Sequence, residues 1–246
     1  MSIDTPEELK ALKACAQVTK ETLNVLQKAV QPGITTKMLE HLADDIFANY
    51  GARSAPRLIY NLPATVLISL NDEAVHGLPG ERVIRAGDIV KIDVTPELNG
   101  FITDACVTIA VPPVKPETSR LLEASQEALR KAMGMARAGL PVNLLGKSIE
   151  KEVRKRGFSV IRELGGHGVG RRIHEAPEVM NFYHRGQRER LQEGMVITIE
   201  PIIAQGSGKV YTAKDGWTIK TQDQSPVAHF EHTIVITRNK PLILTA

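Results

Sequence analysis

The chain has 246 residues, 24% charged and 42% apolar, with a formal net charge of +3. That length can bury a sizeable core, and those fractions are ordinary for a soluble globular protein. So small a net charge, with no dense Lys/Arg run, gives no footing for DNA or RNA binding, and two cysteines, Cys15 and Cys106, suggest neither a disulfide framework nor a thiolate metal site. No apolar run approaches the roughly 18 residues of a membrane span. Met1-Ser2-Ile3-Asp4 leads into a polar helix rather than an apolar signal core, so a cytoplasmic protein without membrane attachment is expected.

In chain order, Thr5-Pro6-Glu7-Glu8 reads as a helix start, with Thr5 as N-cap, Pro6 at the first helical position and Glu8 placed for a capping box. Leu9, Leu12, Ala16, Leu23, Leu26 and Val30 form an apolar stripe at helical spacing, ended by Pro32-Gly33. A second helix is expected from about Thr36 to Tyr50, with Leu39, Leu42, Ile46 and Phe47 inward and Gly51 as its stop. From Ser54 the pattern changes to strands and turns. Thr65 to Leu70 reads as a buried strand, and Asn71 to Gly80 as a loop carrying His76.

Gly87 to Cys106 reads as a β-hairpin, two apolar-rich runs around Pro96-Glu97-Leu98-Asn99-Gly100. Alternation puts Lys91, Asp93 and Thr95 on one face, and groups Ile102, Asp104 and Cys106 on the returning strand. A turn centred on Leu98/Asn99 sets Asp93 opposite Asp104, whereas one centred on Asn99/Gly100 sets Thr95 there. In both registers the two carboxylates point the same way. Taken alone they read as solvated strand residues; held close together they repel unless a cation or a shared proton lies between them. The returning strand runs to Val111, where Pro112-Pro113 breaks it.

Two further helices, Pro116 to Gly139 and Val142 to Gly157, precede strands over Phe158–Ile161, Gly194–Ile203, Trp217–Lys220 and His229–Thr237, with a Gly-rich segment at Gly165–Gly170. The order helix, helix, strands therefore occurs twice. The halves also echo in detail: Gly87 to Asp93 matches Gly194 to Glu200, a Gly, alternating aliphatics and then a carboxylate. His76-x-x-Pro79 and His174-x-x-Pro177 precede them. A duplicated α+β unit is expected, with halves of about 6–113 and 116–240 packed sheet to sheet around one shared site in a single domain, 1–246.

The second half supplies His167 between glycines, His174, Glu200 before Pro201, and Glu231 in His229-Phe-Glu-His-Thr233. Glycines beside His167 are expected to allow turn conformations that aim the imidazole into a confined space. Glu200 and Glu231 lie in apolar strands, where a buried carboxylate needs a cation, a salt bridge or a proton. Asp104, Glu200 and Glu231 have no adjacent Lys or Arg, which weakens a plain salt-bridge network. Pooled, Asp93, Asp104, Glu200 and Glu231 with His167 make an oxygen-rich set that suits Mn, Fe, Co or Zn and exceeds the needs of one ion. Two ions about 3.5–4 Å apart would use it, for hydrolysis.

The run KIDV…ITDA…GGHGVGRRIHEAPEV…GMVITIEPII…KDGWTIKTQD…FEHTIVIT resembles the type I methionine aminopeptidases of the bacterial kind, from the first helix to the last strand. The resemblance implies the pita-bread α+β fold: two pseudo-symmetric halves, antiparallel sheets flanked by helices, around a central dinuclear site. It implies a metal-dependent aminopeptidase that removes N-terminal methionine from nascent proteins and peptides, favouring a small second residue. Two divalent ions (Co, Mn, Fe(II) or Zn) are implied, Asp93 chelating one, Asp104 and Glu231 bridging both, His167 and Glu200 holding the other. Water attacks the carbonyl of the first residue, Glu200 shuttles the proton, and the free amine lies near the Asp93 ion. His174 resembles the residue that donates to the substrate carbonyl or developing oxyanion, and His76 the one that contacts the scissile nitrogen. A monomer in transient association with the ribosome is implied as well.

One departure from the family concerns its methionine pocket, usually aromatic in the segment matching Leu58–Pro63 and just before the second histidine. Here Ile59, Tyr60 and Leu62 stand in the first segment and Ile173 in the second, while Trp217 is retained. Tyr60, Leu62, Ile173 and Trp217 are expected to line the substrate pocket. Such a wall can hold a thioether but weakens exclusive preference for it. Two other readings share the fold. An X-Pro exopeptidase of the aminopeptidase P kind usually carries an extra N-terminal domain, whereas this chain begins directly with its first helix. A non-enzymatic peptide-binding member commonly loses metal ligands, and none is lost here.

Overall fold

Helix α1 (Pro6–Ala29) starts where its cap predicts: the Glu8 amide donates to Thr5 Oγ1 at 3.2 Å. The Glu8 carboxylate reaches one residue further back than a capping box, accepting from the Asp4 amide at 2.8 Å. In the computed structural model, which describes residues 1–246, α2 (Thr36–Tyr50) packs on α1 and ends at Gly51 as expected. After Ser54 the expected strands and turns give way to a short helix, α3 (Ala55–Tyr60). Ser54 Oγ accepts from the Arg57 amide and Pro56 sits in the first turn, so local capping suffices. Six residues are too few to show a periodic apolar stripe.

Strands β1 (Leu67–Leu70), β2 (Ile89–Val94) and β3 (Ala105–Ala110) form an antiparallel sheet in that order. Its core with α1 and α2 includes Leu26, Leu39, Phe47, Ile68 and Ile92. The hairpin pairs Asp93 with Cys106, Val94 with Ala105 and Leu98 with Phe101. That is the register centred on Asn99/Gly100, whose φ angles of 52° and 83° make the turn that Asn-Gly favours. Thr95, rather than Asp93, therefore stands beside Asp104, and its hydroxyl donates to Asp104 Oδ1 at 2.8 Å.

The second half repeats this plan. Strands β4 (Gly165–Gly168), β5 (Glu175–Met180), β6 (Val196–Ile199), β7 (His232–Val235) and β8 (Leu242–Ile243) form a five-stranded sheet in the order β5-β4-β6-β7-β8. Helices α4 (Pro116–Met135) and α5 (Asn143–Lys155) pack against its strands β6 and β5. Leu121, Ala128, Leu145, Ile149, Ile197 and Ile234 belong to the core between them. Antiparallel β6 lies between β4 and β7 as β2 lies between β1 and β3. Asp93, near the end of β2, and Glu200, immediately after β6, thus take similar places along the two central strands. Asp104 and Glu231 each immediately precede the neighbouring strand, β3 and β7. No helix is long and apolar enough to cross a membrane.

The halves are stitched together where that second pair lies. The expected continuous strand over 229–237 is broken at Phe230-Glu231, because Val227–His229 pairs with Ile202–Ala204 while β7 joins the large sheet. At the break the Glu231 amide donates across to the Cys106 carbonyl at 2.9 Å. The Asp104 amide donates to Thr233 Oγ1 at 2.8 Å, and the Thr233 hydroxyl donates to the Asp104 carbonyl at 2.7 Å.

The segment around His167 corrects the turn expected there. Gly165–Gly168 is an extended strand, and neither Gly166 nor Gly168 has positive φ. What demands glycine is close approach: a Cβ on Gly166 would stand 2.5 Å from the Thr198 carbonyl oxygen, and one on Gly168 2.3 Å from that of Ala176. Gly166→Ala should therefore push β4 from β6 and lower stability by about 1–3 kcal/mol. Gly134→Ala, in α4 with open space around it, should be neutral or stabilising by up to about 1 kcal/mol. Denaturant titration of the two variants checks the contrast, and equal effects would refute it.

Candidate metal centre and active site

The strand geometry brings Asp93, Asp104, His167, Glu200 and Glu231 to one cavity of about 270 Å³. All but Asp93 are buried, and Asp93, half-buried, has its Oδ1 sealed from solvent without a hydrogen-bond partner. Glu231 Oε1 is sealed and unpartnered in the same way. No lysine or arginine forms an ion pair with any of the four carboxylates. Lys91, two residues from Asp93, is buried but donates instead to the carbonyls of Asn71 (2.8 Å) and Val227 (3.3 Å). Burial pushes the Asp93 carboxyl up to about 6. It holds Asp104, Glu200 and Glu231 well above the carboxylate range, with mutual repulsion within the cluster adding to it. Protons or cations must balance such a cluster.

His167 is set for the cation. Its Nδ1 lies 3.0 Å from the Gly168 carbonyl, which can only accept, so Nδ1 carries the proton. Burial holds the ring neutral, pushing its pKa down to about 4. Nε2 therefore presents a lone pair, 3.5 Å from Glu200 Oε1 and 4.0 Å from Asp104 Oδ2. The His167 amide donates to Thr198 Oγ1 at 3.1 Å, and that hydroxyl donates to Glu200 Oε1 at 3.0 Å. Ligand atoms of Asp104, His167 and Glu231 lie within 4.8 Å of one another, and so do those of Glu200, His229 and Glu231. Carboxylates with imidazole, uncompensated by Lys or Arg and with Asp93 Oδ1 and Glu231 Oε1 unpartnered, fit divalent transition ions, and Glu231 belongs to both groups.

His229 joins the cavity wall without a role expected from the sequence. It is buried, with Nε2 3.6 Å from both Glu200 Oε2 and Glu231 Oε2. In the continuous strand expected from the sequence, residues two apart share a face, which would have grouped His229 with Glu231; the structure brings them together across the break instead.

Around the cluster, the cavity wall includes His76, His174, Tyr60, Leu62, Ile173 and Trp217. Leu62 and Ile173 are buried, and Leu62 packs with Leu67 and Trp217. Tyr60 stands at the rim, 42% exposed, with its hydroxyl 2.6 Å from His174 Nδ1. Ile59, expected to reshape the pocket, is 46% exposed and outside the cavity wall. The helical turn of α3 brings Pro56 and Tyr60, four apart, to the wall and turns Ile59 away. His76 follows a short strand, Glu73–Val75, inside the expected loop, and takes the left-handed backbone region at φ 60°. Its carbonyl accepts from Thr218 Oγ1 at 3.3 Å, next to Trp217. Burial, then the neighbouring His174, pushes His76 down to about 4; burial also lowers His174.

Fold and cluster together define a metal-dependent hydrolase. The chain belongs to metallopeptidase family M24, whose profile matches residues 10–238. It is 39% identical to a methionine aminopeptidase of Clostridium perfringens, over 97% of this chain and 96% of that one. With methionine aminopeptidase 2 of Bacillus subtilis it shares 36% identity over 100% and 99%. The crystal structure of methionine aminopeptidase from Thermotoga maritima superposes with a TM-score of 0.96 at 36% identity, covering 100% of this chain and 99% of that one. A prolidase from Pyrococcus furiosus shares the fold at 23% identity, with a TM-score of 0.80 over 99% of this chain and 65% of its own. The architecture is the pita-bread fold expected from the sequence.

Proposed function

We propose that this chain is a methionyl aminopeptidase, a metal-dependent exopeptidase that frees N-terminal methionine ahead of a small second residue. The observation that carries the reading is the buried cluster of Asp93, Asp104, His167, Glu200 and Glu231, uncompensated by Lys or Arg, at one side of a cavity with an apolar wall. Relatives of full length that bear the methionine aminopeptidase name support it. Asp93 would hold one divalent ion, Asp104 and Glu231 both, and His167 and Glu200 the second, with Co, Mn, Fe(II) or Zn as the candidates. Bound there, the ions lower the pKa of water and polarise a carbonyl.

The remaining steps belong to the protein. Leu62, Ile173 and Trp217 receive the apolar side chain of the first residue, whose amine lies toward Asp93. Tyr60 holds His174 Nδ1, leaving Nε2–H to donate to the developing oxyanion. Glu200 takes the proton from attacking water, and His76 contacts the leaving nitrogen. Because the cluster takes side chains from both halves, residues 1–246 act as one catalytic domain. The same reading places the enzyme in the cytoplasm, as a monomer acting on nascent chains with transient ribosome contact.

The purified protein, loaded in turn with Mn, Fe(II) or Co, should release methionine from Met-Ala-Ser. No release with any of them would sink the proposal, and cleavage confined to X-Pro peptides would transfer the fold to the other exopeptidase class.

A further inference from the structure

The imidazole of His229 enters none of the roles above, yet it faces two of the cluster's carboxylates. The residue is 2% exposed. Its amide donates to Thr108 Oγ1 at 2.9 Å, and the Thr108 hydroxyl donates to its carbonyl at 2.6 Å, pinning it to the sheet of the first half. Nε2 is sealed from solvent and has no hydrogen-bond partner. It lies 3.6 Å from Glu200 Oε2 and 3.6 Å from Glu231 Oε2. A charge-assisted N–H···O bond closes to about 2.7–2.9 Å, so neither contact is one. Two donors that each stand about 2.0–2.2 Å from a tetrahedral ion are separated by about 3.4 Å. The observed 3.6 Å is close to that spacing. Glu200 presents its other oxygen, Oε1, to His167 Nε2 at 3.5 Å, so its carboxylate lies between two imidazoles.

We propose that His229 is a direct nitrogen ligand of the ion held by Glu200 and Glu231, so that the centre carries two imidazoles, His167 and His229. The inference rests on the dinuclear reading of the cluster. It has a consequence for metal choice: imidazole suits Zn and Fe, whereas carboxylate and water suit Mn and Mg. A second imidazole in place of water or oxygen shifts the site toward the first group.

Proton NMR of the cobalt-loaded wild-type protein counts ligating histidines through their strongly hyperfine-shifted, solvent-exchangeable ring N–H resonances. Two are expected; one would overturn the assignment. His229→Gln should lose one of the two and keep the other. Equilibrated against equimolar Zn and Mn, this variant should show a Zn:Mn content ratio at least about 10-fold below that of wild type. An unchanged ratio and an unchanged N–H count would refute the proposal. Should the variant fail to fold, the wild-type count decides alone. Cobalt bound with a single imidazole removes His229 only, whereas no metal uptake by wild type removes the dinuclear reading with it.

Discussion

Asp104→Asn should strip metal from both positions and lower activity by more than about 100-fold, while Asp93→Asn should loosen one ion and leave the other. The expectation follows from where each carboxylate sits. Asp104 lies at the junction of the halves, its backbone tied to Thr233 and its Oδ2 4.0 Å from His167 Nε2. Its ligand atom groups with those of His167 and Glu231. Asp93 projects from β2 in the first half, with Oδ1 unpartnered. Asparagine at 104 preserves the shape and can still accept the Thr95 hydroxyl that now reaches Oδ1 at 2.8 Å, so the fold should survive. The change also removes a negative charge that Glu231 and Asp93 repel. The metal-free variant should therefore be as stable as metal-free wild type at neutral pH, or more so, while being inactive. Elemental analysis of metal per chain, with a thermal melt of each apoprotein, checks both halves of the prediction. Equal stoichiometry in Asp93→Asn, Asp104→Asn and wild type would contradict it.

What was legible in the sequence was local or anomalous. The Thr5 cap and the Gly51 stop depend on a few adjacent residues and appear where expected, and the Asn-Gly hairpin forms in one of the two registers its sequence allows. The carboxylates were legible because an acid in an apolar strand without a basic neighbour contradicts its surroundings. What escaped depends on contacts between distant segments. Strand β5 carries Pro177 and an irregular pairing with β4, so Glu175–Met180 offers no clean alternation. The glycines beside His167 are required by carbonyl oxygens of Thr198 and Ala176, which only the assembled sheet brings near. His229 acquires meaning from Glu200, which approaches it through the pairing of 202–204 with 227–229.

Divalent metal should stabilise the protein much more at pH 7 than at pH 5. Burial raises Asp93 to about 6 and also lifts Asp104, Glu200 and Glu231 well above their ordinary values, with repulsion inside the cluster adding to it. A carboxyl whose native pKa exceeds its unfolded value of about 4 holds its proton more tightly when folded. Its contribution to stability is complete below about pH 4 and is lost as pH rises through the native value, through about 6 for Asp93. This carboxylate contribution therefore weakens between pH 5 and 7, while His76, His167 and His229, which burial lowers to about 4, 4 and 3, contribute in the opposite direction over the same window, so the metal-dependent difference is the quantity to read. Surface acids shifted the other way, such as Glu127 at about 2 beside Arg130, change protonation below that window and leave it undisturbed. Metal requires the deprotonated ligands, so its binding competes with these protons and strengthens as they leave. His167, at about 4, is already neutral throughout. Metal at about 100 times its dissociation constant contributes about 2.7 kcal/mol, roughly 5–10 °C in melting temperature for a chain of this size. Differential scanning fluorimetry of chelated protein, with and without Co or Zn at fixed total concentration, should show that shift at pH 7 and little of it at pH 5. An equal shift at both would mean that the ion does not replace protons on these four carboxylates.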